Sequence, residues 1–229
     1  MNDNTVNKKD VTKRMTKVVF LLLLTAAILF AAAGNPRWIW GWIYIFIYIL
    51  YIVVNGFLLP KELIAERGKK KSNVKGWDKT LNGINSVFAL SSLAVAGLDE
   101  RFSWTGGLNT GLHILGMILF IGGSFLFTWS MVSNTFFSTM VRIQNERGHK
   151  VASGGPYKFV RHPGYTGFIL TSFGVPLILG SLWALIPAAA TAVTFVVRTA
   201  LEDRTLLAEL DGYREFSEKT RYRLIPGIW

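Results

Sequence analysis

Long stretches without a charged residue constrain the fold of this chain more than any other feature of its sequence. No Asp, Glu, Lys or Arg lies between Arg101 and Arg142, and none lies between Arg161 and Arg198. Uncharged apolar segments of about 18 or more residues are typical of membrane-spanning helices. Only 17% of the 229 residues are charged, whereas soluble domains average roughly a quarter. The sequence therefore predicts an integral membrane protein.

The apolar segments predict an all-α, polytopic membrane helix bundle of about six spans. The last two spans are interpreted as a C-terminal helical hairpin, because Gly180 and Ser181 mark a turn and Pro187 falls in the first turns of the returning helix. One bent helix is the alternative, since a span of about 16 residues reaches only roughly 24 Å across a hydrocarbon core of ~30 Å. The spans are placed at about 18–34, 38–59, 81–98, 108–131, 165–180 and 182–198.

The distribution of basic residues predicts the orientation of these spans. Of the 25 Lys and Arg residues, all but Arg37 and Arg101 fall on one side of the predicted membrane. Cytoplasmic loops accumulate Lys and Arg, so both termini are expected in the cytoplasm. The membrane would be the plasma membrane in a prokaryote and the endoplasmic reticulum in a eukaryote. The net charge of +11 is interpreted as this sorting signal together with attraction to membrane lipids, and no nucleic-acid partner is expected.

Three segments are predicted along the chain. Residues 1–17 form a basic tail that is expected to be disordered, residues 18–135 hold the N-terminal spans, and residues 136–229 form a core with the candidate chemistry. The helical spacing of Leu206, Leu207, Leu210 and Tyr213 predicts a cytoplasmic amphipathic helix along the membrane interface. The chain lacks cysteine, and its three histidines are too scattered to predict a metal site. The lone intramembrane histidine, His113, is expected to be packed and hydrogen-bonded.

Polar residues with special backbone properties are concentrated in the last 90 residues. The segment 147–157 contains Gly154, Gly155 and Pro156, which permit a loop that presents its backbone to a ligand; an ordinary helix connector is the alternative. The segment 160–167 places Pro163 where a helix would begin, with free amides and a positive dipole; interfacial anchoring is the alternative. Arg198 and Glu202 lie four residues apart on one helical face, which permits either a plain ion pair or a binding site.

Taken together, these motifs resemble the isoprenylcysteine carboxyl methyltransferase family, which is related to the phospholipid N-methyltransferases. The resemblance covers about residues 140 to 229. The matching residues are Gly155-Pro-Tyr-Lys-Phe-Val-Arg-His-Pro-Gly-Tyr165, then Arg198-x-x-x-Glu202-Asp203-x-x-Leu206, Gly212-Tyr213 and Arg223-Leu-Ile-Pro226.

The resemblance implies a methyltransferase that uses S-adenosyl-L-methionine at the cytoplasmic edge of the membrane. It implies catalytic roles for Arg198 and Glu202, with Arg198 also binding the acceptor. The acceptor would be a lipophilic small molecule or prenylated substrate that enters from the bilayer. The implied cofactor-binding residues are Gln144, His149, Lys150, Val151, Ala152, Tyr157, His162, Pro163, Gly164, Tyr165 and Glu202.

Three acceptors or reactions remain open at this point. Carboxyl O-methylation of an isoprenylcysteine-like substrate is favoured, because a carboxylate is already ionised near pH 7 and needs no general base. A phospholipid amine is the first alternative. Reduction of a sterol or enone by NADPH is the second, since sterol reductases have a similar Arg-His-Pro-x-Tyr segment and a similar C-terminal end. Those reductases are considerably longer, with about ten spans.

Overall fold

A computed structural model describes residues 8–69 and 73–229. This part of the chain contains eight α-helices, two short 3-10 helices and no strand, which confirms the predicted all-α membrane helix bundle. The 3-10 helices span Asn145–Arg147 and Gly155–Lys158. The α-helices are α1 (Lys8–Ala33), α2 (Ile39–Leu58), α3 (Lys61–Gly68), α4 (Gly76–Phe102), α5 (Thr110–Val132), α6 (Pro163–Leu179), α7 (Leu185–Glu209) and α8 (Tyr213–Lys219).

The predicted spans correspond to six apolar helices of unequal length. Helices α1, α2, α4, α5 and α7 are long and apolar enough to cross a membrane, whereas α6 is apolar but has only 17 residues. Helix α6 ends at Gly180, whose φ of 82° is left-handed, and the chain then turns back into α7. The hairpin of α6 and α7 is therefore confirmed, and a single bent helix is excluded.

Helix α1 begins earlier than the apolar pattern indicates. It starts at Lys8, so residues 8–17, predicted as part of a disordered tail, are helical; residues 1–7 lie outside the described part of the chain. The cause is packing against α3, a helix that the sequence did not predict. Gly68 of α3 lies so close to the backbone of α1 that an added Cβ atom would come within 2.1 Å of the carbonyl oxygen of Asp10. This contact holds the first turns of α1 against the bundle.

Helix α7 continues past the end of the predicted membrane span. The span was placed at about 182–198, and the helix that contains it extends to Glu209 and includes Leu206 and Leu207. The apolar spacing assigned to one amphipathic helix therefore crosses a break at Leu210–Gly212, where Gly212 has a φ of 76°. The short helix α8 follows this break.

Helices α5 and α6 approach each other closely through glycines. Cβ atoms added to Gly116 and Gly123 of α5 would lie 2.5 Å from backbone atoms of α6. Gly167 and Gly174 of α6 lie equally close to the backbone of α5. Small residues at these positions permit helix contact within a membrane. This packing fixes the start of α6 beside the end of α5, where the candidate site lies.

The two ends of the bundle differ in chemistry. One end is formed by α3, the first turn of α4, residues 133–162 and the last turns of α7, and it is referred to below as the basic end. At the opposite end, Asp99 accepts hydrogen bonds from Ser181 and Thr105, each at 2.5 Å. His113 is also there, 2.9 Å from the carbonyl oxygen of Ile178 and stacked on Trp40. His113 is thus packed and hydrogen-bonded as predicted.

Candidate active site

A pocket at the basic end is built from segments that are distant in sequence. The loop after α5, the start of α6, the end of α7 and helix α8 all contribute to its walls. Its volume is about 100 Å³, which is below the roughly 300 Å³ at which typical small-molecule sites begin. A nucleoside ligand would therefore have to displace side chains that now fill the pocket.

The structure brings most of the predicted cofactor-binding residues to this one pocket. Pro163 is the exception: it is buried at the first position of α6 and does not line the pocket. The predicted residues that do line it are Gln144, His149, Lys150, Val151, Ala152, Tyr157, His162, Gly164, Tyr165 and Glu202. Their common location is a finding; their contact with a cofactor stays a prediction.

Glu202 gives the pocket its acidic character. It is the one carboxylate among the described residues that line the pocket. The hydroxyl of Tyr165 donates a hydrogen bond to Glu202, and the ring of Tyr165 stacks parallel to that of His162 at 5.7 Å. A carboxylate beside aromatic faces is suited to a cation, because both attract positive charge.

The segment 149–152 supplies unpaired backbone groups. No backbone hydrogen bond within the described residues uses the amides of Lys150, Val151 or Ala152. His149 precedes them, and its Nδ1 accepts the backbone N–H of Gln144 at 3.3 Å. The segment can therefore offer amide and carbonyl groups to a flat heterocycle.

His149 is held neutral at pH 7. Partial burial, followed by the nearby charges of Arg142 and Arg147, lowers the pKa of His149 below its ordinary value of 6.5. The hydrogen bond accepted by Nδ1 places the ring proton on Nε2. His149 is therefore expected to contribute a neutral ring to the pocket.

Tyr157 closes the pocket from the side of α8. Its ring packs in an apolar cluster with Leu210, Tyr213 and Phe216. Its hydroxyl accepts from Asn134 Nδ2 at 3.3 Å, and burial raises the pKa of the phenol above its ordinary value. Tyr157 is thus a neutral aromatic wall.

A buried ion cluster around Asp203 supports the pocket from behind. Arg161 Nη1 donates to both carboxylate oxygens of Asp203, at 2.8 and 2.9 Å. Arg223 Nε and the Tyr213 hydroxyl also donate to Asp203, each at 2.9 Å, and His162 Nε2 lies 3.4 Å away. The cluster joins the start of α6, the end of α7, α8 and the C-terminal segment. It therefore fixes the position of His162 in the pocket wall.

Arg198 lies behind the pocket rather than in its lining. Its Nε donates to Asp78 Oδ1 at 2.8 Å, and its Nη2 donates to the carbonyl oxygen of Thr139 at 3.2 Å. The guanidinium lies over the ring of Tyr165, 5.1 Å from its centroid. The plain ion pair of Arg198 with Glu202 is thus not formed: Arg198 pairs with Asp78, and Glu202 pairs with Tyr165. The acceptor role of Arg198 stays a prediction.

Sequence reasoning missed several residues that shape the site. Asp78 is fully buried and also accepts the backbone N–H of Val141 at 2.8 Å, so it fixes the loop after α5. A single acid between Lys75 and Lys79 was the signal that could have identified it. The remaining missed residues in the pocket wall are mainly aromatic or apolar: Phe136, Phe137, Met140, Val141, Leu206 and Phe216.

Comparison with known proteins connects this pocket to a group of membrane methyltransferases. The sequence model of the family described as phospholipid methyltransferase matches residues 112–210. Protein-S-isoprenylcysteine O-methyltransferase B of Arabidopsis thaliana is 30% identical over 83 residues, which cover 36% of this chain and 39% of that protein. Part of this chain is thus similar in sequence to the isoprenylcysteine carboxyl methyltransferases. The resemblance predicted from residues 155–165 and 198–206 is confirmed.

Two further relatives of this methyltransferase group show how far the similarity extends. A probable protein-S-isoprenylcysteine O-methyltransferase of Oryza sativa subsp. indica is 32% identical over 66 residues, covering 28% of this chain and 35% of that protein. Methanethiol S-methyltransferase 1 of Bradyrhizobium diazoefficiens is 39% identical over 71 residues, covering 31% of this chain and 24% of that protein. The chain thus matches less than half the length of each of these relatives.

Proposed function

We propose that this protein is an integral membrane methyltransferase that uses S-adenosyl-L-methionine and acts on a lipophilic acceptor. The observation that supports this proposal most strongly is the pocket itself. Glu202 and several residues of the segment 144–165 line it together, and the segment 112–210 that contains them is the segment that matches the family. The basic surroundings of the pocket support a position at the cytoplasmic edge of the membrane.

The residues of the pocket fit the chemical groups of the cofactor. The unpaired amides of residues 150–152 can bind an adenine edge, and the faces of Tyr157 and Tyr165 can cover a heterocycle. Glu202 can accept from a ribose hydroxyl or an ammonium group, and Lys150 and Arg161 can attract a carboxylate. When bound, S-adenosyl-L-methionine supplies a methyl group on a positively charged sulfur.

The residues of this chain would act by alignment rather than by proton transfer. An ionised carboxylate acceptor needs no general base, and the aromatic walls of Tyr157, Tyr165 and Phe216 exclude water from the reactants. Holding two reactants in line is worth about 7–11 kcal/mol in favourable cases. Arg198 retains Nη1, which makes no hydrogen bond to a described residue, and this N–H group would orient the acceptor.

The acceptor proposed is the carboxylate of an isoprenylcysteine-like molecule that reaches the pocket from the bilayer. The two plant relatives are named for that substrate, and a guanidinium beside the pocket favours an anion over an ammonium. A bacterial relative is named for methanethiol, and the family description names phospholipids. The acceptor atom therefore has to be determined by identifying the methylated product.

One labelling experiment tests the reaction and the acceptor together. Purified protein in nanodiscs is incubated with methyl-labelled S-adenosyl-L-methionine, NADPH and a total membrane lipid extract, with Glu202→Gln as the matched variant. Label that is released by base indicates an ester and supports the proposal. Base-stable label indicates an N-methyl or S-methyl product and corrects the acceptor. No label, together with NADPH consumption, would indicate a reductase and overturn the proposal.

A further inference from the structure

A second cavity lies within the helix bundle, outside the pocket described above. It has a volume of about 450 Å³, which is within the range of about 300–1,000 Å³ of small-molecule sites. Its walls come from α1, α2, α4, α5, α6 and α7 and are mostly apolar, with Leu21, Leu24, Leu90, Leu93, Phe120 and Val175 among them. A smaller cavity of about 110 Å³ adjoins it and shares several of its wall residues.

Two arginines stand where these two cavities meet. Arg14 of α1 and Arg67 of α3 line both cavities, together with Tyr48 and Tyr51 of α2. The close packing of Gly68 on α1 brings the two arginines together, because Gly68 also lies against the side chain of Arg14. Two positive charges thus face one largely apolar space at the basic end.

Neither arginine has an acidic partner among the described residues. Glu66, the acid next to Arg67, pairs with Arg142 at 3.0 Å instead. The Nη1 atom of Arg67 is buried and has no hydrogen-bond partner in the described part of the chain, and the guanidinium lies over the rings of Phe127 and Phe137 at 6.0 and 5.6 Å. Burial, followed by the charge of Arg14, lowers the pKa of Arg67 to about 10. Arg67 therefore remains charged at pH 7 while its Nη1 hydrogen atoms have no acceptor.

Buried charges are normally paired, because an unpaired one is costly. An anion between Arg14 and Arg67 would satisfy both guanidinium groups, and an aliphatic chain attached to it would fill the apolar cavity. We propose that this cavity binds an anionic lipid, with its acidic headgroup at Arg14 and Arg67 and its chain between α1, α2, α4 and α6. The two arginines lie outside the segment 112–210 that matches the family, whereas part of the cavity wall, from α5, α6 and α7, lies within it.

This lipid site adjoins the candidate active site without being part of it. Phe137 is the shared wall: Arg67 lies over its ring from the lipid site, and the same residue lines the active-site pocket. The proposal concerns binding alone and does not depend on methyl transfer. A protein without methyltransferase activity would still be expected to bind the lipid.

Equilibrium binding of radiolabelled oleate to the full chain in a zwitterionic detergent tests the proposal. Oleate has one carboxylate and one aliphatic chain, oleyl alcohol lacks the charge, and acetate lacks the chain. We expect unlabelled oleate to compete and both other compounds to compete at least about tenfold less well, since oleyl alcohol cannot form the charge-assisted hydrogen bonds and acetate cannot fill the apolar cavity. Equal competition by oleyl alcohol would reduce the site to a non-specific lipid contact and overturn the proposal.

Variants at the two arginines complete the test. Arg67→Met and Arg14→Met should each weaken oleate binding at least about tenfold, whereas Lys61→Met, an exposed position on α3, should not. Because the Nη1 atom of Arg67 is buried without a hydrogen-bond partner among the described residues, Arg67→Met should also raise the melting temperature of the ligand-free protein. A lower melting temperature of Arg67→Met would contradict the premise that Arg67 awaits an anion, and unchanged binding in both arginine variants would contradict the proposed site.

Discussion

The arginines at the basic end fall into two groups that differ in burial and in their partners. Arg142, Arg161 and Arg198 are each hydrogen-bonded to a buried carboxylate at 2.8–3.0 Å. Arg14 and Arg67, which line one cavity at the same end, are half-buried and form no ion pair with an Asp or Glu among the described residues. A paired buried charge fixes local structure, whereas an unpaired one lowers stability until an anion binds. The first group therefore holds the candidate active site in shape, and the second marks a ligand site.

The largest effect is expected from the paired group, at Asp203. Asp203→Asn would leave Arg161 and His162 without their carboxylate, so we expect a loss of about 3–5 kcal/mol in the free energy of unfolding. Asp211→Asn, at an exposed position in the turn before α8, is the matched control and should have no comparable effect. Chemical denaturation in detergent measures both. Equal stability of the two variants would mean that the cluster does not support the site.

Substitution of Arg198 tests whether its ion pair with Asp78 is only structural or whether Arg198 also orients the acceptor. Arg198→Lys keeps a charge near Asp78 but removes the planar set of donors, so turnover should fall about 10²-fold through misplacement of the acceptor. Binding of S-adenosyl-L-methionine, measured by calorimetry, should persist. Arg204→Lys, exposed on the same helix, serves as control. Full activity of Arg198→Lys would leave Arg198 with a structural role alone.

Glu202 tests the polarity of the pocket. Glu202→Gln removes its single carboxylate, so the affinity for S-adenosyl-L-methionine should fall roughly 10-fold or more, the value of one hydrogen bond to a charged group. Tyr165→Phe should have a smaller effect in the same direction, since Tyr165 positions Glu202. Calorimetric titration with Glu218→Gln as control gives the comparison. Unchanged affinity in both pocket variants would contradict the assignment of the pocket.

The smallest effect is expected from pH. The pKa of His149 is lowered in the folded protein, so the unfolded chain takes up a proton first as the pH falls through about 6.5. Stability should therefore decrease below that pH, by at most roughly 1.4 kcal/mol per pH unit. His149→Asn should remove this part of the pH dependence. Identical pH profiles of the melting temperature for both proteins would show that His149 is not in the environment described here.

Much of the fold follows from simple patterns in the sequence. The lack of charge between Arg161 and Arg198, interrupted by Gly180 and Ser181, was enough to predict the α6–α7 hairpin. The start of α1 was not predictable in this way, because polar residues 8–17 become ordered only through the contact of Gly68 with Asp10. Hydropathy reports which segments are apolar, and it does not report where a polar helix packs.

The candidate site was predictable where its residues are close in sequence. The segments 149–152 and 157–165 could be located from glycine, proline and aromatic spacing and from the family resemblance. The pairing of Asp78 with Arg198 was not predictable, because the two residues are 120 positions apart and long-range ion pairs leave no periodic signal in one sequence. For the same reason Arg14 and Arg67 were counted only as topology signals, although the fold brings them to one cavity.

Photocrosslinking tests most directly whether the pocket at the basic end binds the methyl donor. Purified protein is irradiated with radiolabelled S-adenosyl-L-methionine, with and without excess S-adenosylhomocysteine, and the labelled peptides are mapped. We expect label that the competitor suppresses in peptides containing residues 144–165 or Glu202. Competitor-sensitive label confined to the N-terminal spans, or no such label at all, would contradict the proposed location of the active site.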